Sequence, residues 1–323
     1  MSNLLIRWWL KLWDQATGPR YRYWPTPNET QFNELQSDVK QAHNQLQLWR
    51  FIGDQQKQRA ITLHLLATET LAPHFTYRHF HKRKRDGSLR ELAEPDPLLK
   101  SIQQHILKHW LDQADVHPAS VGFRRKHSIA DHVWPHAGAN FIITSDIQDF
   151  FPSTTAYRVQ QWWKSQFPFS DEAARLMRIL TTYKDCLPQG APTSPALSNV
   201  INFDMDQRIA DRVRRSGGTY TRYCDDMVFS WQGSQRPPSD FEHAIRAVLR
   251  EHGYQLHPAK GWQVYQRCDE PEITGVILTK HGDVRIPEEI LKTIRELERR
   301  NDPTEHDRLA GYRAFQKMVE KRR

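Results

Sequence analysis

Two adjacent carboxylates set in an otherwise strand-forming stretch constrain this chain more than any other feature. Residues 219–231 read TYTRYCDDMVFSW, β-branched and aromatic on both sides of Asp225 and Asp226, which predicts a β-hairpin with the acidic pair at its turn. That turn contains no glycine, so something other than turn propensity selects its residues. A second acidic strand end stands upstream, where FIIT at 141–144 reads as a short buried strand running into Ser145-Asp146. The residues before each acid are of types that proteins bury, and burial is costly for carboxylates. Like charges held close raise one another's pKa and weaken a fold unless a cation neutralises them, so a cluster of Asp146, Asp225 and Asp226 implies a divalent metal.

Two Mg²⁺ ions would bring +4 against −3 from the aspartates, and the net +1 invites a triphosphate. In such a two-metal site one ion activates a 3′-hydroxyl and the other holds the departing pyrophosphate. An isolated Asp-Asp pair reads equally as an acidic turn in water. The rest of the composition favours a polyanionic partner: 46 Lys and Arg against 38 Asp and Glu give a net charge of +8, which suits nucleic acid. A membrane is not expected as a partner, because the longest apolar stretch, Leu4–Trp13, is short and interrupted by Arg7 and Lys11. No small-residue cleavage site follows it, so a secretory leader is not expected either. Cys186, Cys224 and Cys268 form no CxxC pair, which argues against a disulfide framework or a cysteine zinc site and fits a reducing cytoplasm. The histidines show no paired metal spacing.

Along the chain, Gly18, Pro19, Pro25 and Pro27 mark a linker over residues 14–30. Phe32, Leu35, Val39, Ala42, Leu46 and Trp49 line one face of a helix through about Arg50, packing on its own domain or docking another protein. Residues 77–95, YRHFHKRKRDGSLRELAEP, read as a hairpin with a cationic tip around Asp86-Gly87. A helix is predicted over Leu98–Leu111, another after Pro287 on Ile290, Ile294 and Leu297, and a basic one over Arg308–Arg323. Trp8, Trp9 and Trp13 are expected to pack under the N-terminal extension.

Several of these strings resemble the reverse transcriptases. Tyr223-Cys224-Asp225-Asp226 is similar to their Tyr-x-Asp-Asp box. SDIQDFFPS at 145–153 looks like their first catalytic strand, and LPQGAPTSP at 187–195 resembles the block supporting template and incoming nucleotide. In family order a lysine follows the catalytic hairpin, matched by Lys260 in His257-Pro258-Ala259-Lys260, and then a glycine-containing primer-grip strand, matched by Ile273-Thr274-Gly275-Val276. Within that family Gly138-Ala139-Asn140-Phe141, the LPQGAPTSP string, Tyr220-Thr221-Arg222-Tyr223 and Ile-Thr-Gly resemble the bacterial retron type. Where retron enzymes often carry Asn-Ala-x-x-His, this chain has His132-Val133-Trp134-Pro135-His136 and keeps the last histidine. The resemblance covers Tyr77 to Phe315, and the segment after the primer grip is short for a thumb.

The resemblance implies an α+β right-hand polymerase fold: an N-terminal helical extension over 1–55, fingers over 56–135, a palm with an antiparallel sheet over 136–283 and a small helical thumb over 284–323. It implies Asp146 and Asp225 as direct metal ligands, with Asp226 supporting, and Lys260 as general acid for the departing pyrophosphate, although Lys260 also reads as a surface lysine. Lys84 and Arg90 would meet the triphosphate, or are a solvated charge run. Phe151 would close over the sugar and exclude a 2′-hydroxyl, or is core; one of Phe150 and Phe151 is expected to be core. Gln189 and Gly190 would sit against nucleotide and template. His136, Gly275, Arg308, Arg313, Lys317 and Lys321 would contact nucleic acid, or, for the C-terminal helix, form a solvated face.

The implied activity is that of a retron RNA-directed DNA polymerase, copying part of a cognate structured noncoding RNA into single-stranded DNA from dNTPs. The product would be a branched RNA–DNA hybrid that acts with an effector protein in phage defence. No room is expected beyond the thumb for a ribonuclease H domain. The rival readings are a non-retron defence or group II intron-like enzyme, and a catalytically idle scaffold holding RNA and an effector. Gathering carboxylates that repel phosphate argues against the scaffold.

Overall fold

The structure is a computed structural model and describes residues 76–83, 89–167 and 171–320. The expectations for the N-terminal extension, the linker, the 32–50 helix, Lys84, the Asp86-Gly87 turn and Lys321 fall outside the described residues. In chain order the elements are β1 (Tyr77–Arg83), β2 (Leu89–Pro95), α1 (Pro97–His109), α2 (Ile129–Val133), β3 (Phe141–Asp146), α3 (Phe150–Ser153) and α4 (Ala156–Gln166). They continue with α5 (Asp171–Thr181), α6 (Ser194–Ile201), α7 (Phe203–Arg215), β4 (Thr219–Tyr223), β5 (Asp226–Trp231), α8 (Phe241–Glu251) and β6 (Gln263–Gln266). The last are β7 (Glu272–Ile273), β8 (Val276–Leu278), β9 (Val284–Arg285), α9 (Glu288–Arg300) and α10 (His306–Glu320). Helices combined with antiparallel sheets give the expected α+β class. Among the described residues no helix is long and apolar enough to cross a membrane.

The chain divides into two compact units, each made of two segments. Of the described residues, those up to 111 with 154–194 form one, and 112–153 with those from 195 to 320 form the other. These boundaries cut across the division expected from the sequence, because 112–135 belongs with the catalytic sheet and 154–194 with the basic hairpin. Hydrogen bonds give the reason: Ser120 bridges to Arg222 in β4, while Leu187 N–H donates to Thr154 O at 3.1 Å.

In the first unit β1 and β2 pair antiparallel from Tyr77↔Pro95 to Arg83↔Leu89. The Asp96 carboxylate caps α1 by accepting from Leu99 N–H at 2.9 Å and also accepts from Thr76 N–H at 2.8 Å, an arrangement that satisfies orphan donors at a helix start. Pro97 occupies the first turn, where its missing N–H costs nothing.

In the second unit the main sheet runs in the order β4-β5-β3-β6, antiparallel throughout. Both faces of its central strands are covered, which is why β3 and β5 read as nearly continuous apolar runs rather than alternating ones. Ile143, Met227, Phe229 and Trp231 join one core with Met205, Ile209 and Val213 of α7 and Phe241, Ile245 and Leu249 of α8. Ile142 and Val228 join the other, with Ile273, Val276, Leu278, Ile294 and Val319. Each such fully buried side chain contributes about 1.5–3 kcal/mol. The acids at the sheet's end therefore rest on a scaffold fixed from two sides.

Candidate active site

The acidic turn is the two-residue connection between β4 and β5: Tyr223 pairs with Asp226, leaving Cys224 and Asp225 at the tip. Cys224 is left-handed at φ 56, a conformation that a tight hairpin asks of its first central residue and that glycine normally supplies. Buried contacts hold it there. The Arg222 guanidinium donates from Nη1 to Cys224 O at 3.0 Å, from Nε and Nη2 to the two Asp206 carboxylate oxygens at 2.8 and 2.6 Å, and from Nη2 to Ser120 Oγ at 2.9 Å. Tyr220 adds a hydroxyl donated to Asp206 Oδ1 at 2.8 Å. Arg222 and Asp206 are wholly buried, and a bidentate pair with its remaining donors used is the form in which burial of charge is tolerable.

Asp146 ends β3 directly opposite Asp226 across the β3–β5 ladder. Ile147 N–H donates to Asp225 O at 3.0 Å, and His257 N–H donates to Asp146 O at 2.8 Å, so β3, the acidic turn and the loop carrying Lys260 are tied together by backbone. Burial, then the neighbouring Asp225 and Asp146 carboxylates, push the Asp226 carboxyl up to about 7, while a hydrogen bond from Thr274 and the Lys260 ammonium pull it down. All three acids are only partly exposed.

Thr274 donates from Oγ1 to Asp226 Oδ2 at 3.2 Å. It sits with Gly275 in the β7–β8 connection, with φ of 49 and 82, the paired left-handed geometry of a type I′ turn. Gly275 thus serves the turn that aims Thr274. Among the described residues no group of three His, Cys, Asp or Glu side chains is already arranged to hold a metal ion. The fit to a divalent cation rests on donor chemistry: the carboxylates supply hard oxygen ligands, and the burial and neighbouring carboxylates that raise Asp226 are what a cation offsets.

The other expected residues divide. Phe150 and Phe151 lie on the short helix α3, not on a strand. Phe150 is buried against Tyr254, ring centroids 5.4 Å apart, and Phe151 is half-buried beside it. Lys260 is exposed, with its backbone N–H donated to His257 Nδ1 at 3.2 Å. In the other unit Arg90 is exposed, directly across β1–β2 from Lys82. Gln189 O accepts from Ala93 N–H at 2.7 Å. A Cβ on Gly190 would lie 2.8 Å from Ala93 O, so the close approach that demands glycine is to β2.

His136 is a correction. It is fully buried, with Nδ1 2.7 Å from Ser230 Oγ and Nε2 2.7 Å from Thr221 Oγ1, so both ring nitrogens are used inside the sheet and none faces nucleic acid. Thr221 donates its hydroxyl to His132 O at 3.0 Å, which leaves its oxygen to accept N–H from both imidazoles. Burial holds His136 down to about 3 and His132 well below the usual histidine range. The basic C-terminal helix also differs from a free cationic face. Arg308 pairs with Glu305 at 2.9 Å and lies over the Tyr312 ring, and Arg313 pairs with Glu298. Lys317 is exposed.

Thr221, Arg222 and Thr274 stand within the quoted strings without a role assigned to them, and nothing in the sequence marks Asp206. A lone arginine inside an apolar strand was the available signal for the Arg222–Asp206 pair, since such a charge needs a buried counter-ion.

The profile of the family "Reverse transcriptase (RNA-dependent DNA polymerase)" matches residues 82–278, more than half of the chain. The retron Mx162 reverse transcriptase of Myxococcus xanthus is 30% identical over 66% of this chain and 50% of its own length. The retron Ec86 reverse transcriptase of Escherichia coli is 31% identical over 76% of each chain, and the retron Mx65 reverse transcriptase of M. xanthus is 29% identical over 96% of this chain and 78% of its own. The chain therefore spans half the length of the Mx162 relative and about three quarters of the other two.

Proposed function

Because the chain belongs to the reverse transcriptases and to their retron type, we propose that it is an RNA-directed DNA polymerase that copies part of a cognate structured noncoding RNA into single-stranded DNA. The observation that carries this reading is Asp146 facing Asp226 across β3–β5 with Asp225 at the adjoining turn. Asp146 and Asp225 would hold Mg²⁺, with Asp226 supporting. Bound there, two ions supply activation of the primer hydroxyl and neutralisation of the leaving pyrophosphate.

The chain's own groups do the rest. Arg222 fixes the turn that carries Asp225, and Thr274 orients Asp226. Lys260, whose charge is felt at Asp226, would give a proton to the leaving group. Phe151, half-buried next to the core residue Phe150, is the ring left to meet a ribose and exclude its 2′-hydroxyl. Lys84, Arg90 and Gln189 would serve the nucleotide, and exposed Lys317 the duplex backbone. Our reading extends further, by the sequence resemblance to retrons, to a branched RNA–DNA product, an effector partner in phage defence and a cytoplasmic setting.

Nucleic acid extracted from the purified full chain tests this. A hybrid that loses part of its length to ribonuclease and the rest to deoxyribonuclease, with one fixed DNA sequence, is expected. RNA alone would contradict copying and favour a scaffold.

A further inference from the structure

The loop before α2 carries a feature that the catalytic residues do not explain. Phe123 is left-handed at φ 56, a conformation that bulky side chains adopt only under constraint, yet it is 62% exposed. Burial of its ring does not compensate the strain. The backbone is held close to the catalytic turn: Val121 N–H donates to Arg222 O at 2.9 Å and Arg222 N–H to Ala119 O at 2.7 Å. A Cβ on Gly122 would lie 3.0 Å from Cys224 N and 3.1 Å from Tyr223 Cα. The Phe123 ring stands 5.5 Å from that of Tyr223, tilted by 46°, immediately before the acidic turn.

Its neighbours are cationic and differently employed. Arg124 turns back, donating from Nη1 to Ser120 O at 3.1 Å, and so braces the loop. Arg125 reaches Asp112 at 3.4 Å with 76% of its side chain exposed, and Lys126 is exposed and left-handed at φ 64. A strained, outward aromatic ring flanked by exposed cations is the chemistry of a single-stranded nucleic-acid contact, in which a base stacks on the ring and phosphates lie against the charges.

We propose that Phe123 is the stacking platform for an unpaired base of the RNA template beside the catalytic turn, with Arg125 and Lys126 on its phosphates. This deepens the function proposed above and rests on it. An unpaired strand ahead of a copying site exposes base faces that a duplex hides, and every base has such a face, so the contact reads no sequence.

The test uses the full chain and an RNA template with a DNA primer, carrying 2-aminopurine at the first unpaired template position, beside a blunt RNA–DNA duplex of the same sequence. Wild type is expected to quench the probe on binding. Phe123→Asn and Phe123→Gly, whose residues tolerate the left-handed backbone, are expected to lose the quench, to bind the overhang template roughly tenfold more weakly, and to keep blunt-duplex affinity and melting temperature. Phe123→Trp restores the quench. Unchanged quenching in the Asn and Gly variants overturns the proposal. So does equal weakening on the blunt duplex with a lower melting temperature, which would make the ring a support for Tyr223. Deoxynucleotide incorporation by wild type on the same template is read in parallel: if it is absent, the polymerase reading fails, and if it is present while the variants still quench, only the stacking role fails.

Discussion

Two antiparallel hairpins of this molecule are built on opposite plans. In β1–β2 the described residues from Arg78 to Glu91 are exposed, and they carry cross-strand polar contacts such as the Arg78–Glu94 ion pair at 3.2 Å and the His79–Glu91 hydrogen bond at 2.7 Å. In β4–β5 almost every residue is buried, its Arg222 is paired with Asp206 of α7 and sealed from water, and the acidic turn stands at the end. The basic hairpin keeps its outer part by local pairing and is anchored at its base, where Ala93 is buried and donates to Gln189 O. The acidic hairpin tolerates a left-handed cysteine and three crowded carboxylates only because the surrounding sheet over-determines its backbone.

The contrast is broken most severely at the buried pair. Asp206→Asn leaves the Arg222 charge without a counter-ion and is expected to cost about 3–5 kcal/mol in chemical denaturation. Replacing both residues by apolar ones should recover part of that loss, and full stability of the single variant would show that the pair does not hold the turn. A second change acts at the acids themselves. In metal-free protein Asp226 keeps its proton up to about 7 against an ordinary 3.8, so the folded state binds a proton that the unfolded chain has released. Stability then falls as pH rises from about 4 to 7, by at most about 1.4 kcal/mol per pH unit. Asp226→Asn removes this, so its advantage over wild type in melting temperature should grow across that window and level off above it. Magnesium added at pH 8 should stabilise wild type more than the variant. The smallest effect belongs to the exposed hairpin: Glu94→Gln, which parts Arg78 and Lys100 from their carboxylate, should cost under about 1 kcal/mol.

The two hairpins were also unequally legible. Both were visible as strands, and the acidic positions followed from carboxylates in an apolar setting, because β-propensity and charge are local properties. What stayed hidden is long-range. Nothing in the string shows that Thr274 reaches Asp226 48 residues away, or that His136 spends both nitrogens on Thr221 and Ser230. The histidine was read as a contact for nucleic acid because motif position reveals nothing of burial. One of Phe150 and Phe151 is core as expected, but the chain turns into α3 at that point, so Phe150 enters the core and Phe151 packs half-buried against it. The C-terminal arginines looked free because their acidic partners sit on α9 or just before α10, where pairing depends on helix packing.

Asp146, Asp225 and Asp226 are proposed to act together in copying RNA into DNA. Incorporation of labelled deoxynucleotides on an RNA template, by wild type and by Asp225→Asn in parallel, tests this most directly. Template-dependent, magnesium-dependent synthesis by wild type, reduced at least about a thousandfold in the variant, is the predicted result. Equal incorporation by both proteins, or none by wild type across a range of primers and divalent ions, would contradict it.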